Sequence, residues 1–279
     1  MVDRHCDERQ RRSNPVYGWR QRDKRFNDRP SLTAEIKIFP QPEKLAEAVA
    51  VELKEASKQA NKAGRRFNLV LAGGSTPRAV YQFLTRLEFK NSIPWNCIHF
   101  FWGDERCVSP DHEDSNYRMA RETLLDPLAI PQENIHRIRG ENDPTAEAAR
   151  YAQEIINNLK PQPGETPQFD WILLGLGTDG HTASLFPGAQ PIEDRSGLCA
   201  VAIQPQSGQK RITLTNRVLN HARRVSFIVT GKSKGQVVAE ILNQSPESRT
   251  YPAAQVHPQQ GTLEWFLDAN AATKLKESY

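Results

Sequence analysis

The sequence predicts an α/β protein: a Rossmann-like open, mainly parallel sheet with helices on both faces. Three observations carry this. Short apolar runs closed by glycines or polar turns recur, as in FNLVLAGG, IHFFWGDE and WILLGLG; such runs mark strands buried on both faces. Stretches with apolar residues at helical spacing alternate with them, as over Pro42–Lys62 and Pro144–Leu159. Several strands also stop in a turn that carries a reactive or charged group, the architecture of sites built at the carboxyl edge of a parallel sheet.

Composition bounds the rest. Residues 1–30 are polar, Arg-rich and aperiodic, and are expected to be a disordered polar tail. Residues 31–279 are expected to form a single α/β domain. The tail holds nine Lys/Arg against five Asp/Glu and so accounts for the whole net charge of +4. The body is neutral, which argues against a nucleic-acid surface on it. Residues 1–30 have no apolar core of a signal peptide, and no run reaches membrane-spanning length; a cytoplasmic protein without membrane partners is expected. Cys6, Cys97, Cys107 and Cys199 form no C-x-x-C pair and no zinc spacing, consistent with reduced thiols.

Glu35–Phe39 alternates weakly and reads as the first strand. Pro42–Lys62 is an amphipathic helix, with Leu45, Ala46, Val49, Leu53 and Ala56 on one face. Phe67–Ala72 is a buried strand that runs into Gly73-Gly74-Ser75-Thr76-Pro77 and a helix through Leu87. Ser or Thr as N-cap and Pro at the first helical position are start signals. The free N–H groups of this turn and the positive helix end make Gly74, Ser75 and Thr76 a candidate anion cradle. The spacing is neither a P-loop nor G-x-G-x-x-G.

Ile98–Trp102 is the third strand, followed by a turn Gly103-Asp104-Glu105-Arg106. The same triplet occurs at Asp7-Glu8-Arg9, so only its place after a strand gives it meaning. Ser115-Asn116 opens a helix through Leu125, Pro144–Leu159 forms another, and Pro161–Gln168 is a linker. Trp171–Leu174 is a strand that ends in Gly175, Gly177 and Gly180 and delivers His181, with Thr182, Ala183 and Ser184 as a first helical turn. The plain alternative is a tight turn beside a surface histidine. Leu198–Ile203 and Arg211–Thr215 read as strands. Val225–Thr230 reads as the last apolar strand, leading through Gly231–Lys234 into a helix from Gln236 to Leu242.

Four turns, GGST, DER, GTDGH and GKSK, are therefore expected along one sheet edge. They would bring anion donors, a guanidinium, an imidazole and an ammonium into one crevice. A neutral body with a concentrated anion cradle suggests a small phosphorylated metabolite, and His181 suggests proton transfer. G-x-S-x-G is absent, so a serine nucleophile is unsupported. His181 and Asp179 lack a third ligand at metal spacing, so no metal is expected.

GGSTP (73–77), GDER (103–106) with Ser115-Asn116, and LGLGTDGHTASLFPG (174–188) resemble 6-phosphogluconolactonase. RITLT (211–215), VTGKSK (229–234) and YPAAQV (251–256) support the resemblance, which spans about residues 34 to 272 and is most specific in GHTASLFPG. It implies a sugar-phosphate hydrolase domain that converts 6-phospho-D-glucono-1,5-lactone to 6-phosphogluconate without a cofactor. It further implies phosphate binding by Gly74, Ser75 and Thr76 with Lys234, Lys232 standing at the wrong offset. Arg106 and Arg211 would contact phosphate or sugar, and His181 would be the general base. Backbone N–H groups of the 177–180 turn would face the oxyanion, and Asp104 and Asp179 are both candidates to orient the imidazole. Amino-sugar phosphate deaminases share the fold but carry a glutamate where this chain has Phe186, which has no proton to give. A non-catalytic sugar-phosphate sensor would usually carry a DNA-binding unit, and the tail has no helix-turn-helix pattern.

Overall fold

A computed structural model of the chain describes residues 18–19, 34–189 and 197–275. The expected disorder of residues 1–30 falls outside these, except for Gly18–Trp19, a two-residue strand (β1). Among the described residues the main sheet has eight strands. In chain order, its remaining members are β2 (Glu35–Phe39), β3 (Phe67–Leu71), β4 (Ile98–Trp102), β6 (Ile135–His136), β7 (Trp171–Leu174), β10 (Arg224–Val229) and β11 (Thr262–Asp268). Their spatial order is β1-β2-β11-β10-β7-β3-β4-β6. Among these described strands only β1 runs antiparallel to its neighbour. From β3 the chain first builds outward through β4 and β6, then returns to the other side of β3 with β7. The strand order thus reverses between β3 and β7, and the crevice at their carboxyl ends is where open α/β sheets bind ligands.

The helices follow local rules. In α1 (Pro42–Lys62) the apolar spacing buries Leu45, Ala46, Val49, Ala50 and Leu53, with Pro42 in its first turn. Gly64, at φ +66°, ends α1: Arg65 N–H donates to Ala60 O and Gly64 N–H to Asn61 O, closing the helix with a left-handed residue. The Ser75–Leu84 helix (α2) packs on α1 and is followed by a single turn, Leu87–Lys90 (α3). Ser115 Oγ accepts from Arg118 N–H to start α4 (Asn116–Ala120), which continues as a π-helical turn over Arg121–Leu125. Asp143 caps α5 (Pro144–Leu159) through Thr145 and Ala146 N–H. The chain's later helices are α6 (Asn216–Leu219) and α7 (Gly235–Leu242).

Three expectations are corrected. Asp104–Arg106 is a strand (β5), not a turn. With β8 (Cys199–Ile203) and β9 (Lys210–Leu214) it forms a separate antiparallel sheet in the order β5-β9-β8. Val225–Thr230 does not supply the last strand, because β11 follows and lies between β10 and β2. Glu264 and Asp268 interrupt the apolar run of β11. Glu264 is accommodated by Lys37, Arg224 and Ser226, partners remote in sequence. The third correction is the first helical turn expected at Thr182, Ala183 and Ser184, where no helix forms. Thr182 Oγ1 donates to Gly175 O at 2.9 Å, Ser184 N–H to Thr213 Oγ1 at 3.2 Å, and Thr182 bridges Leu185. With Ala183 at φ +48°, these side-chain bonds hold the segment as a compact turn.

Candidate active site

Sequence places Gly73 and Gly74 at the end of β3, and Gly74 takes φ +105° at the N-cap of α2. That backbone favours glycine, and the first N–H groups of the helix that starts there have no intrahelical acceptor. Ser75 and Thr76 are therefore inside the first helical turn and neither caps it, contrary to expectation. Ser75 is exposed, and the Thr76 hydroxyl pairs with Thr230 Oγ1 at 2.7 Å, tying α2 to the end of β10. Of the GGST group, Gly73 and Gly74 line the crevice, a cleft of about 190 Å³.

The same cleft is lined by Asp104, Arg106, His181, Arg211 and Lys234. Arg106 and Arg211 are cross-strand partners in the β5–β9 ladder. Like charges directly opposite each other destabilise a sheet unless something negative sits between them. Each guanidinium also has a buried Nε with no hydrogen-bond partner. Arg106 donates through one NH2 group to Asp114 O at 2.6 Å, and Arg211 stands 4.0 Å from Asp104 Oδ2. Burial holds the Arg211 guanidinium below its usual range, and Asp104 opposes that shift. Lys234 follows Gly231 at the end of β10, while Lys232 is exposed. Burial lowers Lys234 and the charge of Asp179 raises it, with a net shift downward.

His181, also in the cleft lining, has its Nδ1 2.6 Å from Asp179 Oδ1, which also accepts His181 N–H at 3.2 Å. Burial pushes the Asp179 carboxyl up, but His181 holds it below the usual carboxylate range. A carboxylate against Nδ1 selects the tautomer that carries its proton there, leaving Nε2 as the acceptor. Gly177 is where the pair is made possible: a Cβ there would strike the His181 ring and the Asp179 carboxylate. Of the two aspartates open in the sequence, Asp179 is the one at the imidazole. Asp104 accepts instead from Ser184 Oγ at 2.6 Å and Asn116 Nδ2 at 3.3 Å. Phe186 is buried, its ring 5.0 Å from that of His181 and 5.6 Å from the Arg211 guanidinium.

The expected oxyanion turn is partly committed. Gly177 N–H donates to His181 O at 2.8 Å and Gly180 N–H to Gly177 O at 3.1 Å, so neither donor is spare. The sequence marks Asn116 as a helix start and as part of the resemblance, and gives it no place in the site. Yet it lines the cleft, donates to Asp104 O at 3.0 Å, and fits because Gly73 has no side chain: a Cβ at 73 would meet its amide. The adjacent Ser115-Asn116 and the bare Gly73 were visible, but not their contact. Among the described residues no group of three His, Cys, Asp or Glu side chains is disposed to hold a metal ion.

A switch-point cleft lined by cations and by a carboxylate-held imidazole defines a class: an α/β enzyme for a small anionic metabolite. Comparison with known proteins gives the particular family. Over residues 40–265 the chain matches the profile of glucosamine-6-phosphate isomerases/6-phosphogluconolactonase, and it belongs to that family. It is 39% identical over 237 residues to the 6-phosphogluconolactonase of Aggregatibacter actinomycetemcomitans, covering 85% of this chain and 98% of that protein. A solved structure named devB protein is 43% identical with a TM-score of 0.81, covering 86% of this chain and 99% of that one. The 6-phosphogluconolactonase of Trypanosoma brucei is 30% identical with a TM-score of 0.74, covering 88% and 100%.

Proposed function

We propose that the protein hydrolyses 6-phospho-D-glucono-1,5-lactone to 6-phosphogluconate, in the oxidative branch of the pentose phosphate pathway. The family and its lactonase relatives support the activity. The observation that carries the mechanism is one cleft lined by His181, which Asp179 holds, and by the cross-strand pair Arg106 and Arg211. Asp179 keeps the proton on Nδ1, and Nε2 takes a proton from a water that attacks the lactone carbonyl. The imidazolium then returns that proton to the ring oxygen as the ester bond opens. The Gly73-Gly74 turn, the start of α2 and Lys234 bind the phosphate. Arg106 and Arg211 bind the anionic substrate from the second sheet, where their mutual repulsion is relieved by the negative charge they receive.

Phe186 argues against amino-sugar ring opening, because a buried phenyl ring has no proton to give. The described residues contain no helix long and apolar enough to cross a membrane, and the neutral body suits a cytoplasmic metabolic enzyme. One coupled assay tests the function: fresh lactone with phosphogluconate dehydrogenase and NADP. NADPH formation faster than spontaneous hydrolysis allows is expected. A rate no higher than that background overturns the reading.

A further inference from the structure

Glu105 is the most heavily bonded carboxylate near the cleft, and the mechanism does not use it. It is 2% exposed. Its Oε1 accepts from Arg106 N–H at 2.8 Å and Asn116 N–H at 2.7 Å. Its Oε2 accepts from Tyr117 N–H at 2.7 Å and Ser115 Oγ at 3.1 Å. These donors bracket the nine residues Cys107–Ser115 that connect β5 to α4. One side chain thus clamps both ends of this connection. Both ends matter to the cleft, since Arg106 and Asn116 are two of its walls.

Burying a carboxylate beside Asp104 is expensive, and among the described residues no Lys, Arg or His makes a salt bridge with Glu105, Arg211 acting on it only at a distance. Burial pushes the carboxyl up to about 7, while its backbone N–H donors pull the other way. Capping a short helix would be achieved more cheaply by Ser115 alone, which already accepts from Arg118 N–H at 3.1 Å. What Ser115 cannot do is hold the Arg106 backbone. That backbone must be fixed in register for Arg106 to oppose Arg211.

We infer that Glu105 is a positioning residue for the lactone site. By bonding the backbones of Arg106 and Asn116 together, it holds the guanidinium that receives the substrate and the Asn116 wall of the cleft beside it. The inference rests on the lactonase reading for its kinetic consequence, but not for its structural one. Glu105→Gln keeps the shape and can still accept at one oxygen, while its new NH2 group faces the Tyr117 N–H and leaves that donor without an acceptor.

The experiment measures lactone kinetics and hydrogen exchange over residues 106–117 in wild type, Glu105→Gln and Glu264→Gln. Glu264 is another buried, multiply bonded carboxylate, near the amino ends of the strands, and its replacement controls for lost stability. In Glu105→Gln, KM should rise about tenfold with kcat within about twofold, the loss of one or two buried bonds. Exchange over residues 106–117 should accelerate. Glu264→Gln should lose stability and keep the wild-type KM. If Glu105→Gln does not fold, Ser115→Gly removes one of the four bonds while sparing most of the cap, and KM should rise about two- to threefold. A wild-type KM in the variant that folds overturns the inference, as does unchanged exchange protection over residues 106–117. A wild type without turnover sinks the lactonase reading alone, and the exchange result then decides the clamp.

Discussion

Asp104 Oδ2 accepts a 2.6 Å hydrogen bond from Ser184 Oγ, joining the second sheet to the turn that carries His181. Both residues are buried. Ser184→Ala leaves the Asp104 carboxylate short of a donor, which costs about 1–3 kcal/mol. Denaturant titration should show that loss. Turnover should fall less than it does when the imidazole itself is removed, because Thr182 still holds the turn to Gly175. An unchanged midpoint would mean that water replaces the serine.

The imidazole should carry the chemistry alone. His181→Asn is expected to lose on the order of 10² to 10⁴-fold in turnover above background. Affinity for 6-phosphogluconate should be kept, since the phosphate donors lie on other strands. Asp179→Asn should give a smaller loss in the same parameter, by allowing the wrong tautomer. Wild-type turnover in His181→Asn would make the imidazole structural.

Lys234→Ala should weaken product binding more than it slows turnover. Added salt should weaken the wild-type interaction with 6-phosphogluconate, because the ion pair is partly screened. Calorimetric titration at two ionic strengths reads both effects. Equal affinity in the variant and the wild type would remove Lys234 from the site.

Away from the cleft, His99 Nδ1 lies 2.9 Å from His136 Nε2, and His136 Nδ1 lies 2.8 Å from Glu154. Burial, with the charges of Arg66 and His136, lowers His99 from 6.5 to about 4. A histidine depressed in the folded state binds its proton first in the unfolded chain. Its contribution to stability is therefore complete above about pH 6.5 and is lost as pH falls toward 4, by about 2 kcal/mol between pH 7 and pH 5. Glu105, raised to about 7, acts in the opposite direction over this range. The measurement is thus the difference between wild type and His99→Asn in urea. The variant should lose less stability on acidification, and parallel pH profiles would show that His99 does not titrate this way.

Much was legible from local pattern. The bounds of α1 and α5 follow from apolar spacing and from Pro42, Asp143 and Pro144 at their starts. The Trp171–Leu174 strand and the glycines before His181 were equally plain. These are short-range signals, because helix periodicity, caps and glycine turns depend on neighbours a few residues away. The DER segment was not legible as a strand, since its partner, β9, begins more than a hundred residues later.

The sequence by itself determined the α/β class, the glycine turns and the residues able to do chemistry. Tertiary structure alone decided how they are used. It set Arg106 opposite Arg211, gave the imidazole to Asp179, turned Asp104 toward Ser184, and closed Glu105 on both ends of the 107–115 connection. It also placed β11 inside the sheet, where Lys37 and Arg224 make a buried Glu264 tolerable. The physical reason is that a charge or a polar group is settled by whatever is within a few ångströms of it. In a sheet whose strand order departs from chain order, those neighbours are fixed by topology and not by distance along the sequence.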